Sequence, residues 1–213
     1  MFDHGTGSYW QQVNGRAIAG TMTGQQLSPL PGETTKWSSW KRRFPKTKVL
    51  SIETGHDREY NVDTFVNLRT RMNQTGKPWL PVSERAYDKR MTLGTIVVAV
   101  QLNGIHRAYE IDEDKRQAIN DRLGDSSIVV LTAPEGASGS ACRSVVDGRY
   151  LVFEVVDGEF KDKQTGSTWN SNGLATAGEL SGTQLDRLPV RTAFWFSIIT
   201  SFPKIEVYSD RGE

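Results

Sequence analysis

Two clusters of side chains in this 213-residue chain have the types and spacing that chemistry uses. In the first, His56, Asp57, Arg58, Glu59 and Tyr60 follow Gly55 and put titratable groups on one short stretch, as a loop site does. Arg58 can clamp an anion with paired N–H bonds and His56 can shuttle a proton near neutral pH. In the second, Asp162, Thr165, Ser167 and Trp169 offer a carboxylate, two hydroxyls and an indole donor to a small polar ligand. Each cluster has a plainer reading. The first is also what a solvated charged loop looks like. The second is also a turn in which Asp162 and Thr165 satisfy backbone N–H groups while Trp169 enters the core, and turn chemistry alone accounts for Gly166 and the short polar residues.

Other groups promise less. His4 and His106 lie far from His56 in sequence, so no metal-ligand spacing is present, and neither a metal nor a cofactor is expected. The single cysteine, Cys142, lacks a partner motif and reads as a buried thiol beside Arg143. Ser138 and Ser140 are not spaced as Gly-x-Ser-x-Gly, so the glycine-rich run reads as a loop. Lys41, Arg42, Arg43, Lys46 and Lys48 form the densest basic cluster, but cations at a helix end offset its macrodipole without nucleic acid. Lys+Arg 26 against Asp+Glu 25 leaves a net charge of +1, so no nucleic-acid partner is expected. Of six tryptophans, Trp79 and Trp40 are the candidates for exposed platforms.

The elements that must position these groups are mostly β. Asn103-Gly104, Asp147-Gly148 and Asp157-Gly158 each join two strand-like runs and carry the residue types of type I′ turns, as does Asn14-Gly15. Helices are expected over 37–44, capped by Thr34 or Thr35 and stopped by Pro45, over 63–71, and for about two turns after a cap at Asp112 or Asp114, running through Ile119 to Leu123 with Gly124 as stop. Residues 48–52 and 127–132 read as strands. The fold class is therefore α+β and β-rich: antiparallel hairpins and a meander with a few short helices. The longest apolar run, Thr95–Val100, is strand-sized, so no membrane span is expected. Met1-Phe2-Asp3-His4 lacks the pattern of a signal peptide, and the compartment stays open.

A repeat organises the chain. Asp3-x-x-Thr6-Gly7-Ser8-x-Trp10 returns as Asp162-x-x-Thr165-Gly166-Ser167-x-Trp169. From Gly15 onward, residues such as Gly20, Gly24, Leu27, Leu30, Trp37, Phe44 and Val49 recur 158 positions later as Gly178, Gly182, Leu185, Leu188, Trp195, Phe202 and Val207. A pseudo-repeat of about 3–49 and 162–207 is expected, with one supersecondary unit built twice. It divides the chain into a first half-module (1–52), an ordered connector (53–92) and a complete module (93–213). In the second copy Phe194, Phe196 and Ile199 replace Lys36, Ser38 and Lys41, so its helix is expected at the centre and the first-copy helix at the surface.

Val100-Gln101-Leu102-Asn103-Gly104, Ala108-Tyr109, Ile119-Asn120-Asp121, Val146-Asp147-Gly148, the Asp162–Trp169 motif, Phe194-Trp195-Phe196 and the segment from Thr54 to Tyr60 resemble a prokaryotic family known as domain of unknown function 3179. The resemblance implies half a module followed by a whole one. It departs from the family where a Cys-Pro-x-Cys segment often stands, since Ala133-Pro134-Glu135-Gly136 occupies those positions.

The repeat and the lack of any complete catalytic constellation point to a non-catalytic binding or scaffold module. Its partner is expected to be a small polar ligand or a protein, and its cleft to be bordered by 54–60 and 136–140. The candidate ligand-binding residues are His56, Asp57, Arg58, Tyr60, Asp162, Thr165 and Ser167. The alternative is an enzyme with a polar cleft near Asp57, Arg58 and Tyr60.

Overall fold

The computed structural model describes residues 1–57, 67–79, 81–134 and 139–209. In chain order come strands β1 (Phe2–Asp3), β2 (Ser8–Trp10) and β3 (Ala17–Ala19), then helices α1 (Trp37–Arg43) and α2 (Leu68–Thr75) and a 3-10 turn at Glu84–Tyr87. Strands β4 (Ile96–Leu102), β5 (Ile105–Glu110), β6 (Gln117–Leu123), β7 (Ser126–Thr132) and β8 (Gly139–Arg143) follow. Next are β9 (Val145–Val146), β10 (Arg149–Tyr150), β11 (Phe153–Val156), β12 (Glu159–Asp162), β13 (Thr168–Trp169) and β14 (Ala175–Ala177). The series ends with β15 (Arg187–Leu188), β16 (Val190–Phe194), α3 (Trp195–Ser201) and β17 (Glu206–Val207).

The core is layered. One sheet has the order β16-β4-β5-β17 and a second the order β15-β8-β7-β6. Val98, Val100, Tyr109 and Ile111 of the first pack on Leu123, Ile128, Val130 and Ala141 of the second. Because side chains alternate across a strand, Val97, Ala99 and Ala108 point the other way and meet Trp195, Ile198 and Ile199 of α3. By the same alternation Val129 and Leu131 leave the second sheet on its far side and pack on Phe153, Phe160 and Trp169 of a third sheet, β11-β12-β13-β14. Two middle sheets covered on both faces explain why β4 and β7 are continuous apolar runs.

The fold is β-rich with short helices, and its sheets are antiparallel except for the β17–β5 pair, which is parallel. Asn103, Asp147 and Asp157 have φ of 52°, 49° and 52°, each followed by a left-handed glycine, so all three expected two-residue hairpins form. Four local expectations fail. Asn14 is not left-handed; its side chain accepts the N–H of Arg16, and the β2–β3 connection is a longer loop closed by Gln11 N–H donating to Arg16 C=O. The run 119–123 is strand β6 rather than helix, because seven pairs to β7 satisfy its backbone and Gly124 turns the hairpin. Ile119 and Leu123, four apart, suit a helix face and a strand face equally. Neither Thr34 nor Thr35 caps α1: Lys36 is the N-cap, and it makes no side-chain bond to the helix. Residues 48–52 form no strand and stand exposed. The expected helix over 63–71 falls largely outside the described residues; within them, α2 begins at Leu68.

The stretches related by 158 positions share local geometry. Gly15, Gly20 and Gly24 have φ of 71°, 96° and 89°, against 74°, 93° and 88° at Gly173, Gly178 and Gly182. An irregular register falls at Tyr9/Trp10 and at Thr168/Trp169, and isolated bridges join Arg16 to Gln26 and Leu174 to Gln184. Helices α1 and α3 begin and end at matching positions. Their surroundings differ: α3 buries Trp195, Phe196, Ile198 and Ile199, whereas α1 buries no residue.

Candidate functional site

The Asp162 cluster comes together, and its polar atoms are turned inward. Asp162 sits at the end of β12 and is 1% exposed. Its Oδ1 accepts the Thr165 N–H at 2.7 Å, Thr165 Oγ1 donates to the carboxylate at 2.8 Å, and Trp169 Nε1 donates to Oδ2 at 2.9 Å. Thr165 Oγ1 and Ser167 Oγ are 2.7 Å apart, and Ser167 Oγ also accepts the Leu180 N–H at 3.0 Å. A carboxylate that already accepts three bonds has little capacity left for a ligand, so the turn reading describes these side chains. Gly178 lies so close that a Cβ there would come within 2.7 Å of Ser167 Cα.

In the matching turn, Asp3 accepts the Gly5 N–H at 2.9 Å and Thr6 Oγ1 donates to it at 2.5 Å, while Ser8 Oγ accepts the Met22 N–H at 3.1 Å. The Thr6 hydroxyl, then the Gly5 N–H, holds the Asp3 carboxyl below the usual carboxylate range. This turn is built alike but lies at the surface.

The other predicted residues are not gathered by the described structure. His56 and Asp57 are exposed, with the His56 N–H near Thr54 Oγ1 at 3.4 Å. Arg58 and Tyr60 lie outside the described residues, as do Gly136 and Ser138. Cys142 is fully buried, and burial pushes its thiol pKa up to about 12 against the opposing pull of Arg187, the behaviour of an inert thiol. Among the described residues no three His, Cys, Asp or Glu side chains converge as metal ligands.

Three further features matter. A cleft of about 610 Å³ is lined by Leu68, Arg71, Met72, Thr75, Lys77 and Trp79. The half-exposed Trp79 was legible in sequence as a platform; its cationic neighbours were not. Second, Arg107 joins Asp121 at 2.7 Å and Glu206 at 2.6 Å, and Tyr109 OH donates to Asp121 at 2.6 Å. Burial first, then Asp121, raises the Tyr109 pKa well above its usual value. The sequence signal for this network was Asp121 standing between Ile119 and Leu123 on one strand face. Third, Leu27, Leu30, Trp37, Phe44, Val49, Leu50 and Ile52 are all exposed, a concentration of apolar side chains on one 26-residue stretch.

Residues 1–26 are tied to the rest of the molecule by Gln11 Nε2 donating to Ser201 Oγ at 2.9 Å and by Arg191 donating to the Val13 C=O, and the exposed stretch by Arg187 donating to the Gly32 C=O at 3.2 Å. Arg43 pairs with Glu33 and lies over the rings of Trp40 and Phe44.

No helix among the described residues is long and apolar enough to cross a membrane. No curated protein and no solved structure matches the chain. One family model does, over residues 1–205, a span that takes in the Asp162 turn, both matched helices and the exposed stretch. The chain belongs to the family described as "protein of unknown function (DUF3179)".

Proposed function

We propose that the protein is a non-catalytic, β-rich binding or scaffold module that seats a polypeptide on residues 27–52. The observation that carries this reading is the contrast in exposure between matched residues: Leu30 is 83% exposed and Leu188 6%, while Trp37 is 49% exposed and Trp195 0%. Residues 3–49 and 162–207 are read as two copies of one unit, supported by their paired glycine dihedrals, bridges and helix ends. On this reading 1–52 is a half-module, 53–92 a connector and 93–213 a complete module.

The test is titration of the full chain with the dye 8-anilinonaphthalene-1-sulfonate. Dye fluorescence is expected to rise with the wild-type chain and to be lost in a Leu30→Ser/Leu50→Ser double variant whose melting temperature is unchanged. Dye binding that survives the double variant overturns the reading.

A second reading, favoured by the cleft beside α2, is a small aromatic carboxylate whose charge lies near Arg71 and Lys77 and whose ring stacks on Trp79. Calorimetric titration with inorganic phosphate and benzoate tests it. Benzoate is expected to bind, and Trp79→Ala to abolish the heat; no heat from either probe counts against it.

A further inference from the structure

Charge narrows the partner that residues 27–52 fit, an inference that rests on the reading above that this stretch seats a polypeptide. The chain as a whole is nearly neutral, but the stretch holds six of its 26 cations, Lys36, Lys41, Arg42, Arg43, Lys46 and Lys48, and one of its 25 acidic side chains, Glu33. The rest of the molecule is therefore net acidic. Arg43 pairs with Glu33, and among the described residues no carboxylate pairs with the other five, all of them exposed.

The helix dipole accounts for only part of this charge. Lys41, Arg42 and Arg43 occupy the last turn of α1, where cations are favourable. Lys36 is the N-cap, at the end where a cation is unfavourable, and no acidic residue stands in the first turn to offset it. Lys46 and Lys48 lie beyond the helix, past the reach of its dipole. The positions 158 further on hold Phe194, Ile199, Thr200, Ser201, Lys204 and Glu206, so a chain folded in this way does not need cations there. Cationic and apolar side chains are also neighbours along the stretch, as in Lys36-Trp37 and Lys48-Val49-Leu50, and Arg43 lies 5.0 Å from the centre of the Phe44 ring.

The exposed apolar residues separate the classes of occupant. Leu30, Val49, Leu50 and Ile52 are exposed on backbone that belongs to no helix or sheet. Sinking them into lipid would carry backbone N–H and C=O groups into a medium without hydrogen-bond partners, whereas a polypeptide can bond to those groups. Aliphatic side chains give nucleic-acid bases no platform, since bases stack on aromatic rings. We propose that residues 27–52 receive a separate acidic polypeptide segment. Its carboxylates meet Lys36, Lys46 and Lys48, and its aliphatic side chains cover Val49 and Leu50. Opposite charge sets which partner is accepted, and apolar burial supplies the hold.

The probe is a fluorescein-labelled dodecapeptide of alternating Glu and Leu, titrated with the full chain and followed by fluorescence anisotropy. Its Lys/Leu counterpart and vesicles of phosphatidylcholine and phosphatidylserine in equal parts are run beside it. The Glu/Leu peptide is expected to bind at least about tenfold more tightly than the Lys/Leu peptide, and to weaken as salt rises from about 0.05 M to about 0.5 M. Lys46→Glu/Lys48→Glu is expected to weaken it at least about tenfold. The two peptides decide the sign of the charge on the wild-type chain, so the test holds even where that variant loses stability. Equal binding of the two peptides, or binding of neither, overturns the acidic partner. If the dye signal is then still lost in Leu30→Ser/Leu50→Ser, the polypeptide reading stands without it; if the dye signal survives, both fail. Vesicles bound more tightly than the Glu/Leu peptide overturn it in favour of a lipid surface, and a salt-sensitive dimer of the chain alone overturns it in favour of self-association through the acidic remainder.

Discussion

Helices α1 and α3 have the same length and matching ends, yet one is at the centre of the molecule and the other lies at its surface. The local instructions are shared: an extended residue before the helix, an aromatic at its first position, and a Phe closing it with N–H donating to the carbonyl four residues back. The environment is not shared. Residues 93–159 supply α3 with a hairpin on one side, and Met72, Ala86 and Leu93 cover it on another. Nothing equivalent among the described residues covers α1. The comparison separates what a segment needs in order to form from what it needs in order to be buried.

Substitutions at matched positions sharpen or break that comparison, and urea denaturation reads them. Trp195→Ala is expected to cost about 3–5 kcal/mol, because it empties a fully buried site, whereas Trp37→Ala stays under about 1 kcal/mol. Equal effects at the two would break the comparison. Leu188→Ala is expected to cost about 2–4 kcal/mol and Leu30→Ala about 0.5 kcal/mol or less. In the paired turns, Asp162→Ala leaves Trp169 Nε1 and Thr165 without their buried acceptor and is expected to cost about 2–3 kcal/mol. Asp3→Ala, at the surface, is expected to lower stability far less.

Glycine gives the opposite pattern. Gly20→Ala and Gly178→Ala are each expected to cost more than about 1 kcal/mol, since both sites have φ above 90° and both press on a serine backbone. Here a difference between the two stretches, rather than a likeness, would count against reading them as one unit built twice.

The smallest expected effect is a pH dependence at His106 of β5, beside Phe202 and Arg191, which has no counterpart next to α1 among the described residues. Burial, then the neighbouring Arg191, lowers the His106 pKa, so the folded state favours the neutral ring. The unfolded chain takes up a proton near pH 6.5 that the folded chain refuses, so stability present above that pH falls as the pH drops towards the lowered folded value. Melting temperature is expected to drop by about 1–2 °C between pH 7 and pH 5.5. His106→Gln is expected to flatten that limb.

The sequence was legible where a structural decision is local. Three hairpin turns were readable because Asn-Gly and Asp-Gly tolerate the left-handed conformation at both central positions. The Asp162 motif was readable as a turn because its short polar side chains reach their own backbone. Reading failed where two periods fit one run, as at Ile119 and Leu123, or where a strand needed a partner that no local signal could promise, as at 48–52. Of the candidate site residues, Asp162, Thr165 and Ser167 proved to belong to one buried bond network, while His56 and Asp57 stand in solvent. The Arg107–Asp121–Tyr109–Glu206 network joins residues up to 99 positions apart and was not readable as a unit.

By itself, then, the sequence determined the turns, the alternation of strands, the family, and the echo between residues 3–49 and 162–207, because each depends on residues close along the chain or on direct likeness. Which of the two matching helices is buried was foreshadowed by Phe194, Phe196 and Ile199. What occupies each face of α3, and what leaves the same face of α1 exposed, was decided only by tertiary structure. Burial is a relation between distant segments, and it exists only once the strands from 93 to 159 have closed over α3 and not over α1.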